Sequence, residues 1–195
     1  TAGFKSTQSI ITGYLEYSGY MTADQVLDMH AQGHEISAHS RTHPHLTNLS
    51  ENQMRNEITG SLEDLRALGI MDVVSFNYPY GEYNSRAESI VKESYAVGGY
   101  SALTTIDGFN YASTDPYELR RQTIINTTPV SEITGWIDQA VAEDAWVILM
   151  FHKIENNGGT WSTTPQDLQA IVNYLSDNNI NVVTVGEGLQ LMQGI

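Results

Sequence analysis

Trp146-Val147-Ile148-Leu149-Met150-Phe151-His152 is an unbroken apolar run that ends on an imidazole. A strand covered on both faces reads as continuously apolar, whereas a half-exposed strand alternates, so this stretch predicts a buried strand of a parallel sheet. In folds built from strand–helix repeats the C-terminal strand ends carry the functional groups, which makes His152 a candidate. The same pattern recurs upstream. Glu35-Ile36-Ser37-Ala38 runs into His39, and the apolar segment 73–77 is followed by Tyr80. Further strands are expected at 9–12, 122–125 and 181–185. The amphipathic stretches between them carry helix start signals. Thr22 with Gln25, and Ser50 with Gln53, predict capping boxes. Thr164-Pro165 with Asp167 predicts a third start, with proline at the first helical position and a carboxylate near the positive helix end. Gly33 and Gly69 sit where the first two helices should close. The alternation describes a single α/β domain over residues 1–195 with a mostly parallel sheet.

Charge narrows the function. Nine Lys and Arg against 23 Asp and Glu give a formal charge of −14, with no basic patch to neutralise a phosphate backbone. Nucleic acid is therefore excluded as a partner, and an anionic membrane surface is disfavoured. Only 16 % of residues are charged, so Ser, Thr, Asn, Gly and Tyr fill the surface, a composition suited to neutral hydroxyl-rich partners such as sugars. The absence of Cys excludes disulfides, thiolate metal sites and a Cys nucleophile. Nothing in the sequence resembles a signal peptide, and no apolar run is long enough to span a bilayer. The opening Thr1-Ala2-Gly3-Phe4-Lys5 lacks an initiator Met and reads as a processed or excised piece.

His39-Ser40-Arg41-Thr42-His43 is the most informative short stretch. On a helical turn, residues four apart share a face, so both imidazoles could reach one ion. Surface or capping histidines are the competing reading. His30, His34 and His45 enrich the neighbourhood without the same strand-end placement. Asn77-Tyr78-Pro79-Tyr80-Gly81 reads as a rigid turn, because proline fixes φ and glycine permits unusual dihedrals. Such a turn can aim a backbone N–H at a developing oxyanion.

Together these motifs resemble the polysaccharide deacetylases of the NodB-homology type, carbohydrate esterase family 4. His39-Ser40-Arg41-Thr42-His43, continued by Pro44-His45-Leu46, is similar to the family's His-Ser/Thr-x-x-His motif. Asn77-Tyr78-Pro79-Tyr80-Gly81 is similar to its Arg-x-Pro-Tyr motif, and Leu149-Met150-Phe151-His152 to its Leu-x-His motif. The resemblance implies a distorted (β/α) barrel and hydrolysis of N- or O-acetyl groups on a chitin-like, peptidoglycan-like or acetylxylan polymer. It implies a divalent metal on His39 and His43, foremost Zn2+ with Co2+ or Ni2+ as alternatives. Tyr80 would offer its backbone N–H to the oxyanion and His152 would protonate the leaving group. Asn77, Tyr78, Pro79, Met150 and Trp161 would line the substrate groove, and a secreted or cell-surface location follows from the family.

The chain departs from the family in its first motif. Thr-Phe-Asp-Asp, which supplies the general base and third metal ligand, has no counterpart, so the barrel is expected to lack its first strand and helix. The carboxylates would come from an absent N-terminal segment, from another chain, or from a substitute such as Asp107 or Asp115. Asn77 stands where the family has Arg, and Arg121 or Arg120 is the candidate to replace that orienting role. The family's fourth motif, an Asp near a Trp, is not legible. The alternatives are a non-catalytic carbohydrate-binding or scaffold domain on the same fold, and a metal hydrolase for a non-sugar amide.

Overall fold

The computed structural model describes residues 2–95 and 101–194. In chain order the elements are β1 (Thr7–Ile10), α1 (Ala23–Ala31), β2 (Glu35–Ala38), α2 (Glu51–Ala67), β3 (Ser75–Asn77), α3 (Ser85–Ser94), β4 (Ser101–Asp107), β5 (Leu119–Thr123), α4 (Val130–Ala142), β6 (Leu149–Met150), β7 (Lys153–Ile154), β8 (Ser162–Thr163), α5 (Pro165–Asp177) and α6 (Val185–Gln193). Two compact units emerge. The larger comprises Lys5–Thr105, Thr114–Leu119 and Thr184–Ile195, and the smaller Thr1–Phe4, Ile106–Ser113 and Arg120–Val183.

In the larger unit β1 pairs with β2, β2 with β3 and β3 with β4, all parallel. Parallel neighbours need a crossover, and α1, α2 and α3 provide one in each interval. The capping signals work as expected. Thr22 and Ser50 make reciprocal boxes with Gln25 and Gln53. Gly33 and Gly69 end their helices at φ of 85° and 99°, which favours a residue without Cβ. Ile36, Ala38 and Phe76 of the sheet pack against Val26 of α1, Met54, Ile58, Leu62 and Leu65 of α2, and Ile90 of α3. Chain-distant α6 is tied to this unit, since Val185 N–H donates to Thr7 Oγ1 (2.9 Å) and Gly186 N–H to Glu35 Oε2 (2.7 Å).

In the smaller unit β5 and β6 form a parallel pair, and β7 and β8 form another. Thr164 caps α5 by accepting from Asp167 N–H (3.0 Å). Ile124, Ile133, Ile137 and Ile171 form the core, with Leu149 and Phe151 packed on it.

Two expected strands change. The apolar run 146–151 is a ladder strand only at Leu149–Met150, with Trp146 in an isolated antiparallel bridge to Asn110. Its residues are half-buried, because the run packs on α4 and α5 through Leu149 and Phe151 rather than lying covered throughout. Segment 181–185 is not a strand. Thr184 and Glu187 form a capping box that starts α6 at Val185, a signal legible as Thr-x-x-Glu. The sequence reading also passed over β4, whose Ser101-Ala102-Leu103-Thr104-Thr105 lacks a clean period, and over α3, which Asn84 caps.

Candidate functional site

β2 carries His39 to its C-terminal end, where His39 N–H donates to Ile10 O (2.9 Å). The following residues are a loop and not the expected helical turn, because Ser40 and His43 adopt left-handed φ of 61° and 56°. The loop nonetheless folds the imidazoles together, with ring centroids 4.7 Å apart and planes at 79°. Ser40, fully buried, accepts from His43 N–H through Oγ (2.9 Å).

The loop rests on α2. Glu57 accepts from Arg41 N–H (2.9 Å), Thr42 N–H (2.8 Å) and Thr42 Oγ1 (2.8 Å). The Arg41 guanidinium forks onto Asp64, Nε to Oδ2 at 2.8 Å and Nη2 to Oδ1 at 2.7 Å, and holds that carboxyl below its usual pKa. Gly60 makes room, since a Cβ there would lie 2.4 Å from Arg41 Cζ. Glu57, Asp64 and Gly60 were missed as contributors; the legible signal was an isolated glycine within a helical pattern.

His39 Nδ1 lies 2.8 Å from Asn77 O. A carbonyl only accepts, so Nδ1 carries a proton, as in histidines that ligate through Nε2. Burial pushes the His43 pKa down, which keeps its ring neutral, also the ligating form. Tyr80 turns at φ 56° and sets its ring against His43 (4.6 Å) and flat on His45 (4.0 Å).

Asn77 uses its amide on Ser9 Oγ, while its Oδ1 and the nearby Ser37 Oγ are buried without a hydrogen-bond partner. Ser37 lies two residues before His39, on the same face of the strand. Tyr78 and Pro79, expected to line the substrate groove, sit below the surface of the turn. Both are buried, and the Tyr78 ring packs on Phe76 (5.6 Å) and Tyr83 (5.1 Å), so they anchor the turn that presents Tyr80.

In the smaller unit His152 follows β6, exposed, with its ring 4.7 Å from that of Trp161, which is itself 53 % exposed. Met150 is half-buried and its carbonyl accepts from Ile124 N–H (3.0 Å). Arg121 is buried and hydrogen-bonds Thr123 Oγ1 in the field of Asp107. In the larger unit Asp115 is spent on Tyr117 N–H (2.8 Å). Among the described residues no group of three or more His, Asp or Glu is placed to hold a metal.

Residues 1–96 match the family profile described as polysaccharide deacetylase. Residues 1–96 carry a polysaccharide deacetylase domain. No curated protein matches the sequence significantly. Among solved structures, a family 4 acetyl xylan esterase from Clostridium thermocellum, bound to a cobalt ion, is 20 % identical with a TM-score of 0.67, covering 100 % of this chain and 80 % of that one. A Streptococcus pyogenes deacetylase in complex with acetate is 24 % identical with a TM-score of 0.60, covering 68 % of this chain and 58 % of that one. A polysaccharide deacetylase from Bacillus cereus is 22 % identical with a TM-score of 0.61, covering 68 % and 42 %. The chain thus spans about half the length of the last two structures. These likenesses establish the α/β fold of the NodB-type deacetylases.

Proposed function

We propose that this chain carries part of a metal-dependent deacetylase site acting on N- or O-acetyl groups of a neutral polysaccharide, with chitin-like, peptidoglycan-like and acetylxylan polymers as the candidate class. The observation that carries this reading is the His39–His43 pair, with the Nδ1 proton of His39 held by Asn77 O, as in histidines that ligate through Nε2. Two imidazoles supply half of a tetrahedral site suited to zinc, cobalt or nickel. Bound there, such a cation supplies Lewis acidity toward an acetyl carbonyl and lowers the pKa of water. His39 and His43 hold it. Tyr80 covers His43 and His45 with its ring, and its backbone N–H is the proposed oxyanion donor. His152 is the proton donor to the leaving amine or alcohol, with Trp161 beside it to meet a sugar ring. The reading also requires two carboxylates beside the pair, a third ligand and a general base, and among the described residues no group of three His, Asp or Glu is placed to hold a metal. No described helix is long and apolar enough to cross a membrane, and a secreted or cell-surface setting accords with a polymer substrate.

The test is Co2+ titration together with acetate release from acetylated xylan and chitin oligomers, on this chain and on a version extended with an Asp-Asp-bearing N-terminal strand. The expectation is Co2+ binding lost in His39→Ala, with acetate release in the extended form. His152→Ala should leave Co2+ affinity unchanged and cut turnover by about 10²- to 10⁴-fold. An extended form that binds sugar and never releases acetate makes the chain a carbohydrate-binding domain instead.

A further inference from the structure

The loop after β1 presents a cluster of tyrosines that the site described above does not use. Tyr14 stacks on Tyr17 with centroids 5.9 Å apart and meets Tyr20 edge-on at 4.9 Å. Tyr17 and Tyr20 are 61 % and 50 % exposed. The loop that carries these water-facing rings is not loose. Tyr17 N–H donates to Tyr14 O (3.1 Å), Tyr20 N–H to Tyr17 O (3.0 Å) and Glu16 N–H to Met21 O (3.2 Å). Leu15 and Met21 root it on the core.

The cluster is also indexed to the histidine loop. Thr12 N–H donates to Ser40 O (3.2 Å), Gly13 N–H to Arg41 O (2.8 Å), and Tyr14 Oη to Thr42 O (3.0 Å). The backbones approach so closely that a Cβ on Gly13 would stand 2.5 Å from Arg41 O. The rings are therefore held in a fixed relation to His39 and His43 within one compact unit.

We propose that Tyr14, Tyr17 and Tyr20 form an aromatic platform that holds a pyranose ring of the glycan beside the His39–His43 loop. The chemistry selects a sugar. An aromatic face accepts the C–H-lined face of a pyranose, and phenol hydroxyls at the rim meet its hydroxyls. The loop residues between the rings, Ser18 and Gly19, add no aliphatic surface for a protein interface. A formal charge of −14 favours a neutral polymer over an acidic one. A platform prearranged in this way holds its ligand with little ordering cost. The inference rests on the deacetylase reading for the identity of the polymer, and its test is a binding measurement that needs no turnover.

Xylohexaose and chitohexaose are titrated calorimetrically into the unchanged chain, into Y17A/Y20A and into Y17F/Y20F, with Co2+ titrations in parallel. Tyr14 is left in place because it bonds Thr42. One hexasaccharide should bind the unchanged chain. Y17A/Y20A should weaken it by about tenfold or more at unchanged Co2+ affinity, and Y17F/Y20F should retain most of it, since the ring faces remain. Equal binding by Y17A/Y20A, or binding of neither hexasaccharide by the unchanged chain, overturns the platform. So does self-association that Y17A/Y20A abolishes without any sugar bound. Tyrosine-dependent sugar binding without acetate release from any form supports the platform and counts against the hydrolase reading alone.

Discussion

At the scale of single residues, the site is organised by groups that never touch a reacting atom. Glu57 is buried, and its carboxylate holds two backbone N–H groups and a hydroxyl of the loop between the histidines. Glu57→Leu keeps much of the volume and removes the one oxygen that accepts from both N–H groups. The expected cost is about 1–3 kcal/mol in urea unfolding, the size of a buried polar group left unpaired. Co2+ affinity should fall with it, because His39 and His43 flank the two amides that lose their acceptor. Hydrogen exchange at Arg41 and Thr42 should accelerate, while amides in α5 keep their protection. The His39–Asn77 contact illustrates a different economy: the partner is a main-chain carbonyl, so the side chain at 77 is free to differ from the family's arginine without disturbing that hydrogen bond.

At the scale of elements, two glycines inside helices make opposite predictions. Gly60 in α2 lies under the Arg41 guanidinium, and a methyl there would overlap it at 2.4 Å. Arg41 is in turn forked onto Asp64 and cannot withdraw without breaking that pair. Gly60→Ala should therefore destabilise by about 1–3 kcal/mol and loosen the histidine loop. Gly135 in α4 has nothing within 4 Å of its would-be Cβ and ordinary helical φ, so Gly135→Ala should stabilise by about 0.5–1 kcal/mol through reduced chain entropy. Thermal melts of the two variants, read side by side, check both signs. Helix starts were legible because capping is local: Thr22, Ser50 and Thr164 each act within their own first turn. The strand at 181–185 was misread because β-branched residues there lack ladder partners, and pairing cannot be seen from one segment.

At the scale of the whole molecule, the chain returns to its beginning. Glu35 on β2 accepts from Ser75 Oγ of β3 (2.5 Å) and from Gly186 N–H of α6 (2.7 Å), while Thr7 of β1 receives Val185 N–H. α6 thus clamps the ends of β1, β2 and β3, with Leu189 fully buried. Removing 184–194 should lower the melting temperature and speed hydrogen exchange in β1 and β2, with the core of α4 and α5 keeping its protection. Wild-type exchange in β1 and β2 after the truncation would show that α6 contributes nothing to them. The sequence by itself determined the alternating strand–helix order, the parallel pairing, most helix starts, and the deacetylase motifs with His39, His43, Tyr80 and His152 at candidate positions. Those signals are written in local spacing and in residue chemistry. Tertiary structure alone decided that Tyr78 and Pro79 are buried anchors, that the histidine loop is left-handed and rests on Glu57, and that tyrosines from the loop after β1 stand against it. Such facts depend on which distant groups meet, and the burial and hydrogen bonds that follow from meeting have no image in a single stretch of chain.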